Sequence, residues 1–123
     1  PVLATARPDW AIRTAEQRVW RDHNGEIWVD SYNRNVWEYN IALAREAISL
    51  GFAEVQWDYV RFPDVPQSHM RTAVWPAREG RTKEDAIAEF LIVRRAGTPL
   101  PAAQSTAMQC IPNAAARFAI SRL

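Results

Sequence analysis

The clearest pattern of apolar and polar positions runs from Asn33 to Tyr59. Trp37, Ile41, Ala44 and Ile48 recur at i, i+4, i+7 and i+11, and Val36, Leu43 and Ala47 widen the stripe. Arg34, Glu38, Arg45 and Glu46 occupy the remainder, the signature of an amphipathic helix with one broad buried side. The spacing predicts a helix from about Arg34 to Leu50. Asn33 caps its start, and Gly51 supplies the left-handed residue that ends it. The period then changes to two. Phe52, Glu54, Gln56 and Asp58 alternate with Ala53, Val55, Trp57 and Tyr59, predicting a strand with one polar face that ends in a carboxylate.

The flanking segments carry shorter signals. Pro1 to Thr14 reads as a loop end followed by an extended piece, Trp10 to Arg13. Arg18–His23 and Glu26–Asp30 flank Asn24-Gly25, which predicts a hairpin with a type I′ turn and positive φ at both central residues. After Pro63 comes a loop of roughly eighteen residues containing Pro66, Pro76 and Gly80, a length that is often functional in a compact domain. Thr82, with Asp85 three residues on, caps a second helix reaching about Arg95, whose apolar side is Ala86, Ile87, Phe90 and Leu91. From Ala96 to Leu123 no period is sustained and no next strand is clear. Asn113 is placed to cap a short helix joining Ala114–Ala116 with Phe118 and Ile120.

Composition narrows the class. A length of 123 residues fits one domain with a core, and the hydrophobic fraction of 48% is that of a globular protein. A net charge of +1 gives no strong attraction to nucleic acid or anionic lipid, and no apolar run is long enough to span a membrane. Cys110 is the single cysteine, so no intramolecular disulfide forms. His23 and His69 have no companions at metal-ligand spacing, and no cofactor-binding motif is present. Six tryptophans are a heavy load, suited to a core and to stacking on flat ligand faces.

A helix followed closely by a strand with a polar face fits a (β/α)8 barrel, where residues at the C-terminal strand ends form the active site. Asp58 is then the chemical centre, and Arg61 is placed to orient it and keep it ionised. Gln56 shares its face. Glu54 lies on the order of 13 Å deeper along the strand, too far to act together with Asp58 as a catalytic pair. Asp30, Asp64 and Glu79 sit on loops, and their spacing singles out none of them. Trp20, Trp28 and Tyr32 either stack on a flat ligand at the barrel mouth or brace the hairpin, while Trp37 and Trp57 belong to the core.

Three blocks, WVDSYNRNVWEYN (Trp28 to Asn40), LGFAEVQWDYVRFP (Leu50 to Pro63) and EGRTKEDAIAEFL (Glu79 to Leu91), carry a family resemblance. In this order the chain resembles a bacterial glycoside-hydrolase-type family, a domain of unknown function, expected to form a (β/α)8 barrel. The resemblance implies an α/β fold and a partial TIM-barrel fragment over residues 1–91. Residues 92–123 are left as an unassigned tail, frame-shifted or divergent. It implies a parent that hydrolyses a polysaccharide O-glycosidic bond, with Asp58 as a catalytic carboxylate, Arg61 orienting it and Gln56 assisting at the substrate. Trp28 and Tyr32 become sugar platforms. No cofactor or metal is implied, and the parent's location follows only by analogy with extracytoplasmic polysaccharide degradation. The alternative is a carbohydrate-binding or structural barrel piece without turnover, and the fragment by itself is expected to be inactive.

Overall fold

The computed structural model describes residues 2–52, 54–58 and 60–97, and the backbone of 117–121. Helix α1 (Val2–Ala6) and a 3-10 turn (Pro8–Trp10) lead into a layer of antiparallel bridges. Helix α2 (Arg34–Ser49) starts where Asn33 predicts, with Asn33 Oδ1 accepting the Asn35 N–H at 2.9 Å. Its buried positions are Val36, Trp37, Asn40, Ile41, Ala44 and Ala47. Asn40 joins this apolar set because its side-chain amide donates to the Val36 carbonyl at 2.8 Å, which satisfies the buried polar group within the helix. Gly51 ends the helix at φ +91°, the left-handed conformation that glycine takes without a Cβ penalty.

Strand β1 (Glu54–Asp58) follows. After it come the short helix α3 (Gln67–Met70), helix α4 (Lys83–Gly97) and strand β2 (Arg117–Ser121). The predicted strand ends Ala53 and Tyr59 lie outside the described residues, as do Cys110 and the helix proposed at Asn113–Ala116. Phe118 and Ile120 are in β2, not in a helix, so the chain does have a further strand. β2 runs parallel to β1 in register from Glu54 opposite Arg117 to Asp58 opposite Ser121. Parallel neighbours need a crossover, and α4 lies within it. Alternation of helix and strand with parallel pairing makes the fold α/β.

The main core gathers Val36 and Trp37 of α2, Ala86 and Phe90 of α4, and Ala11, Val29, Tyr32 and Phe62 from the connecting layers. Thr82 caps α4 reciprocally, its hydroxyl accepting the Asp85 N–H at 3.1 Å and its own N–H donating to Asp85 Oδ2 at 2.9 Å. The stretch between Pro63 and Thr82 is structured, with α3 and an antiparallel bridge from Val74 to Arg13. Among the described residues no helix is long and apolar enough to cross a membrane.

The paired left-handed residues expected at Asn24-Gly25 are found at another turn. At the hairpin the Gly25 N–H donates to the Asp22 carbonyl and the Asp22 N–H donates to the Glu26 carbonyl. Gly25 has φ +78°, and Asn24 is not among the positive-φ residues. The loop is therefore a turn that starts at Asp22 and is closed by a left-handed glycine, with Asn24 at its third position, one later than it would hold in a type I′ turn. Asp22 imposes this, because its Oδ1 accepts both the Asn24 and the Glu26 N–H groups. Paired left-handed residues occur instead at Glu79 (φ +49°) and Gly80 (φ +78°), where the Arg81 N–H donates to the Arg78 carbonyl.

Candidate functional site

Val55 is buried against Ala44 of α2, and the Trp57 ring meets Phe90 of α4 at 5.2 Å. These contacts fix the helix-facing side of β1, so alternation places Glu54, Gln56 and Asp58 on the opposite face. Gln56 is exposed there, and Asp58 stands half-buried at the C-terminal end of the strand. Arg61 follows on the surface, and its guanidinium lies 3.9 Å from Asp64 Oδ2. Its side chain also borders a small cavity with Ser31, Trp37, Phe62 and Phe90.

The aromatic candidates separate. Trp28 is half-buried, and its indole N–H donates to Asp22 Oδ2 at 2.9 Å, which fixes the ring on the hairpin. Tyr32 is corrected by the structure. It is 2% exposed, with Phe62 at 5.0 Å and Trp75 at 5.6 Å between ring centroids, so it is a core residue with no face open to a sugar. Trp20 is also buried, donating to Thr72 Oγ1 at 2.9 Å and packed against His69 at 5.1 Å. His69 Nε2 lies 2.8 Å from the Arg21 carbonyl oxygen, which gives that ring a bracing role between the long loop and the hairpin.

Two buried carboxylates organise the layer around these residues. Burial pushes the Asp22 carboxyl up, but the Trp28 indole and the Glu26 and Asn24 N–H groups outweigh it, aided by His23. The net shift is below the ordinary aspartate value. Asp30 is 1% exposed, and burial raises its carboxyl above the ordinary value against the pull of the Ala77 and Tyr32 N–H groups and of Arg81. Asp30 Oδ1 accepts from Tyr32 N–H at 2.9 Å and Oδ2 from Ala77 N–H at 2.8 Å.

Arg81, with a side chain 14% exposed, donates to the carbonyls of the same two residues, reaching Tyr32 at 2.9 Å and Ala77 at 2.5 Å. Its other terminal nitrogen pairs with Glu89 of α4 at 3.1 Å, and Glu89 pairs in turn with Arg34 of α2 at 3.0 Å. Asp30 is therefore committed to backbone donors and is not a free acid. Sequence reading does not find this arrangement. The local half, an aspartate two residues before Tyr32, is a turn signal, but nothing in the sequence announces that Ala77 arrives beside it.

The comparisons agree with this architecture. The model of a family described as "Putative glycosyl hydrolase domain" matches residues 1–106. A crystal structure of a hypothetical protein from Ruminiclostridium thermocellum ATCC 27405 is 31% identical with a TM-score of 0.69. That match covers 98% of this chain and 52% of the other, so the chain spans about half the length of that solved relative. No curated protein matches.

Proposed function

This chain belongs to the putative glycosyl hydrolase domain family, and from that premise we propose that it is part of a (β/α)8 barrel whose complete form hydrolyses a polysaccharide. The observation that carries the reading is Asp58 at the C-terminal end of a parallel strand whose other face is packed on helices. In such barrels that end of the strands holds the chemistry. Asp58 acts as one of the two carboxyls that glycoside hydrolysis normally requires. Arg61 orients it, Gln56 donates hydrogen bonds on the same face, and Trp28 offers its remaining exposed surface to a sugar ring. Tyr32 takes no part in contacting substrate. Its ring packs in the core against Phe62 and Trp75.

A second reading, carbohydrate binding without turnover, is favoured by the state of the loop carboxylates. Asp30 has both oxygens on backbone N–H groups. Asp64 and Glu79 are exposed and lie 3.9 Å from Arg61 and Arg81 respectively.

Hydrolysis and binding measured on the intact protein with cellohexaose, maltohexaose and xylohexaose separate the two. Asp58→Asn is expected to lower turnover by about 10²–10⁴-fold while leaving binding nearly intact. A wild type that binds one of these sugars without cleaving it supports the second reading, and a wild type that does neither removes both.

A further inference from the structure

The segment from Phe62 to Arg81 leaves the C-terminal end of β1 and returns to α4, and along its length it is stitched to the layer that precedes α2. Phe62 and Trp75 pack on Tyr32 and on each other, the last pair at 5.2 Å. Val74 exchanges both backbone hydrogen bonds with Arg13, at 2.7 and 3.0 Å. Thr72 accepts from Trp20, and His69 meets the Arg21 carbonyl. Most of these contacts are apolar or between neutral groups. The exception is the junction of Tyr32 and Ala77, where the N–H of each donates to Asp30 and the C=O of each accepts from Arg81.

That reciprocity is specific. A carboxylate supplies two acceptors, and a guanidinium supplies a rigid fork of donors. Together they satisfy four peptide groups drawn from two distant parts of the chain. The Glu79-Gly80 turn aims the fork. Glu79 is held at φ +49°, a left-handed conformation that a non-glycine residue adopts only against a steric cost. The turn is closed by Arg78 Nε donating to the Arg81 carbonyl at 3.0 Å and Arg81 Nε to the Arg78 carbonyl at 3.2 Å. Glu89 and Arg34 then extend the charge series to α4 and α2, so the junction is tied to both helices.

We propose that Asp30 and Arg81 are a positioning pair for the strand-end site. By gripping the same two residues, Tyr32 and Ala77, on both their N–H and C=O sides, they fix where the 62–81 segment lies relative to the C-terminal end of β1, and with it the residues rooted there, Arg61 and Asp64. The pair touches no substrate. The proposal rests on the reading of that end as the carbohydrate site, and its test is chosen to be judged apart from it.

Amide hydrogen exchange in the intact protein is compared between wild type, Asp30→Asn and Arg81→Lys. Asparagine keeps the shape of aspartate but puts an NH2 against one of the two N–H donors, and lysine keeps the charge without the fork. Exchange at Ala77 and Tyr32 is expected to accelerate by about ten-fold or more in either variant, while Ile41 and Ala44 of α2 keep wild-type protection. Affinity for whichever of the three hexaoses the wild type binds falls by a similar factor.

Unchanged protection at Ala77 overturns the proposal. So does an equal loss of protection throughout α2, which marks the pair as part of the global fold only. If Asp30→Asn fails to fold, Arg81→Lys decides by the same contrast. If the wild type binds none of the three sugars, the carbohydrate reading fails while the exchange contrast still decides the pairing.

Discussion

Asp22 and Asp30 are both buried aspartates that accept backbone N–H groups just downstream, yet they hold the molecule together in different ways. Asp22 gathers Asn24, Glu26 and the Trp28 indole, all within its own hairpin. Asp30 takes one donor from nearby Tyr32 and one from Ala77, far along the chain. Their carboxyls shift in opposite directions accordingly. Burial opposes ionisation at both sites; three donors overcome it at Asp22, while two backbone donors and the field of Arg81 do not at Asp30. A carboxylate that folds its own turn is comfortable as a charge. One that joins two layers of the core is charged at a cost and is held by what it joins.

The contrast breaks first under truncation. Asp30→Ala leaves the buried Tyr32 N–H and the part-buried Ala77 N–H without an acceptor at roughly 1–3 kcal/mol each, and chemical denaturation should show a loss of about 3 kcal/mol. Asp22→Ala frees groups that water reaches once the hairpin loosens, so a loss of about 1–2 kcal/mol is expected. Its signature is local, with Trp28 fluorescence altered and the helical circular dichroism retained. Equal losses in the two variants would erase the distinction between a turn-forming and a layer-joining aspartate. Thr82→Ala, which removes one half of the α4 capping box, provides a reference for an exposed local bond at about 1 kcal/mol.

The smallest effect is the one with a sign. The depressed Asp22 carboxyl stabilises the fold above the ordinary aspartate value of 3.8, and that contribution is lost as pH falls through its lowered value. The raised Asp30 carboxyl works the other way. Its contribution is fully present below 3.8 and is lost as pH rises through the raised value, because the folded state binds that proton more tightly. Unfolding free energies of Asp22→Asn and Asp30→Asn, each subtracted from the parent between about pH 6 and pH 3, should therefore change in opposite directions on acidification. Parallel changes would show that the two sites do not differ in this way.

What the sequence alone determined is what neighbours along the chain can enforce. The stripe from Val36 to Ile48, the Asn33 cap, Gly51 and the Thr82–Asp85 box are local hydrogen-bond and periodicity signals, and α2, α4 and the facing of β1 follow from them. The hairpin was legible, but its turn type was not, because the carboxylate of Asp22 outcompeted the preference of Asn24-Gly25. Tertiary structure decided the rest. Tyr32 reads as a loop aromatic until Phe62 and Trp75 close over it. Arg117–Ser121 reads as an aperiodic tail until β1 offers it a parallel edge to pair with. Asp30 reads as one loop acid among three until Ala77 and Arg81 are brought to it. In each case the deciding partner lies far off in sequence, and burial and hydrogen bonding between distant segments leave no period in the chain to read.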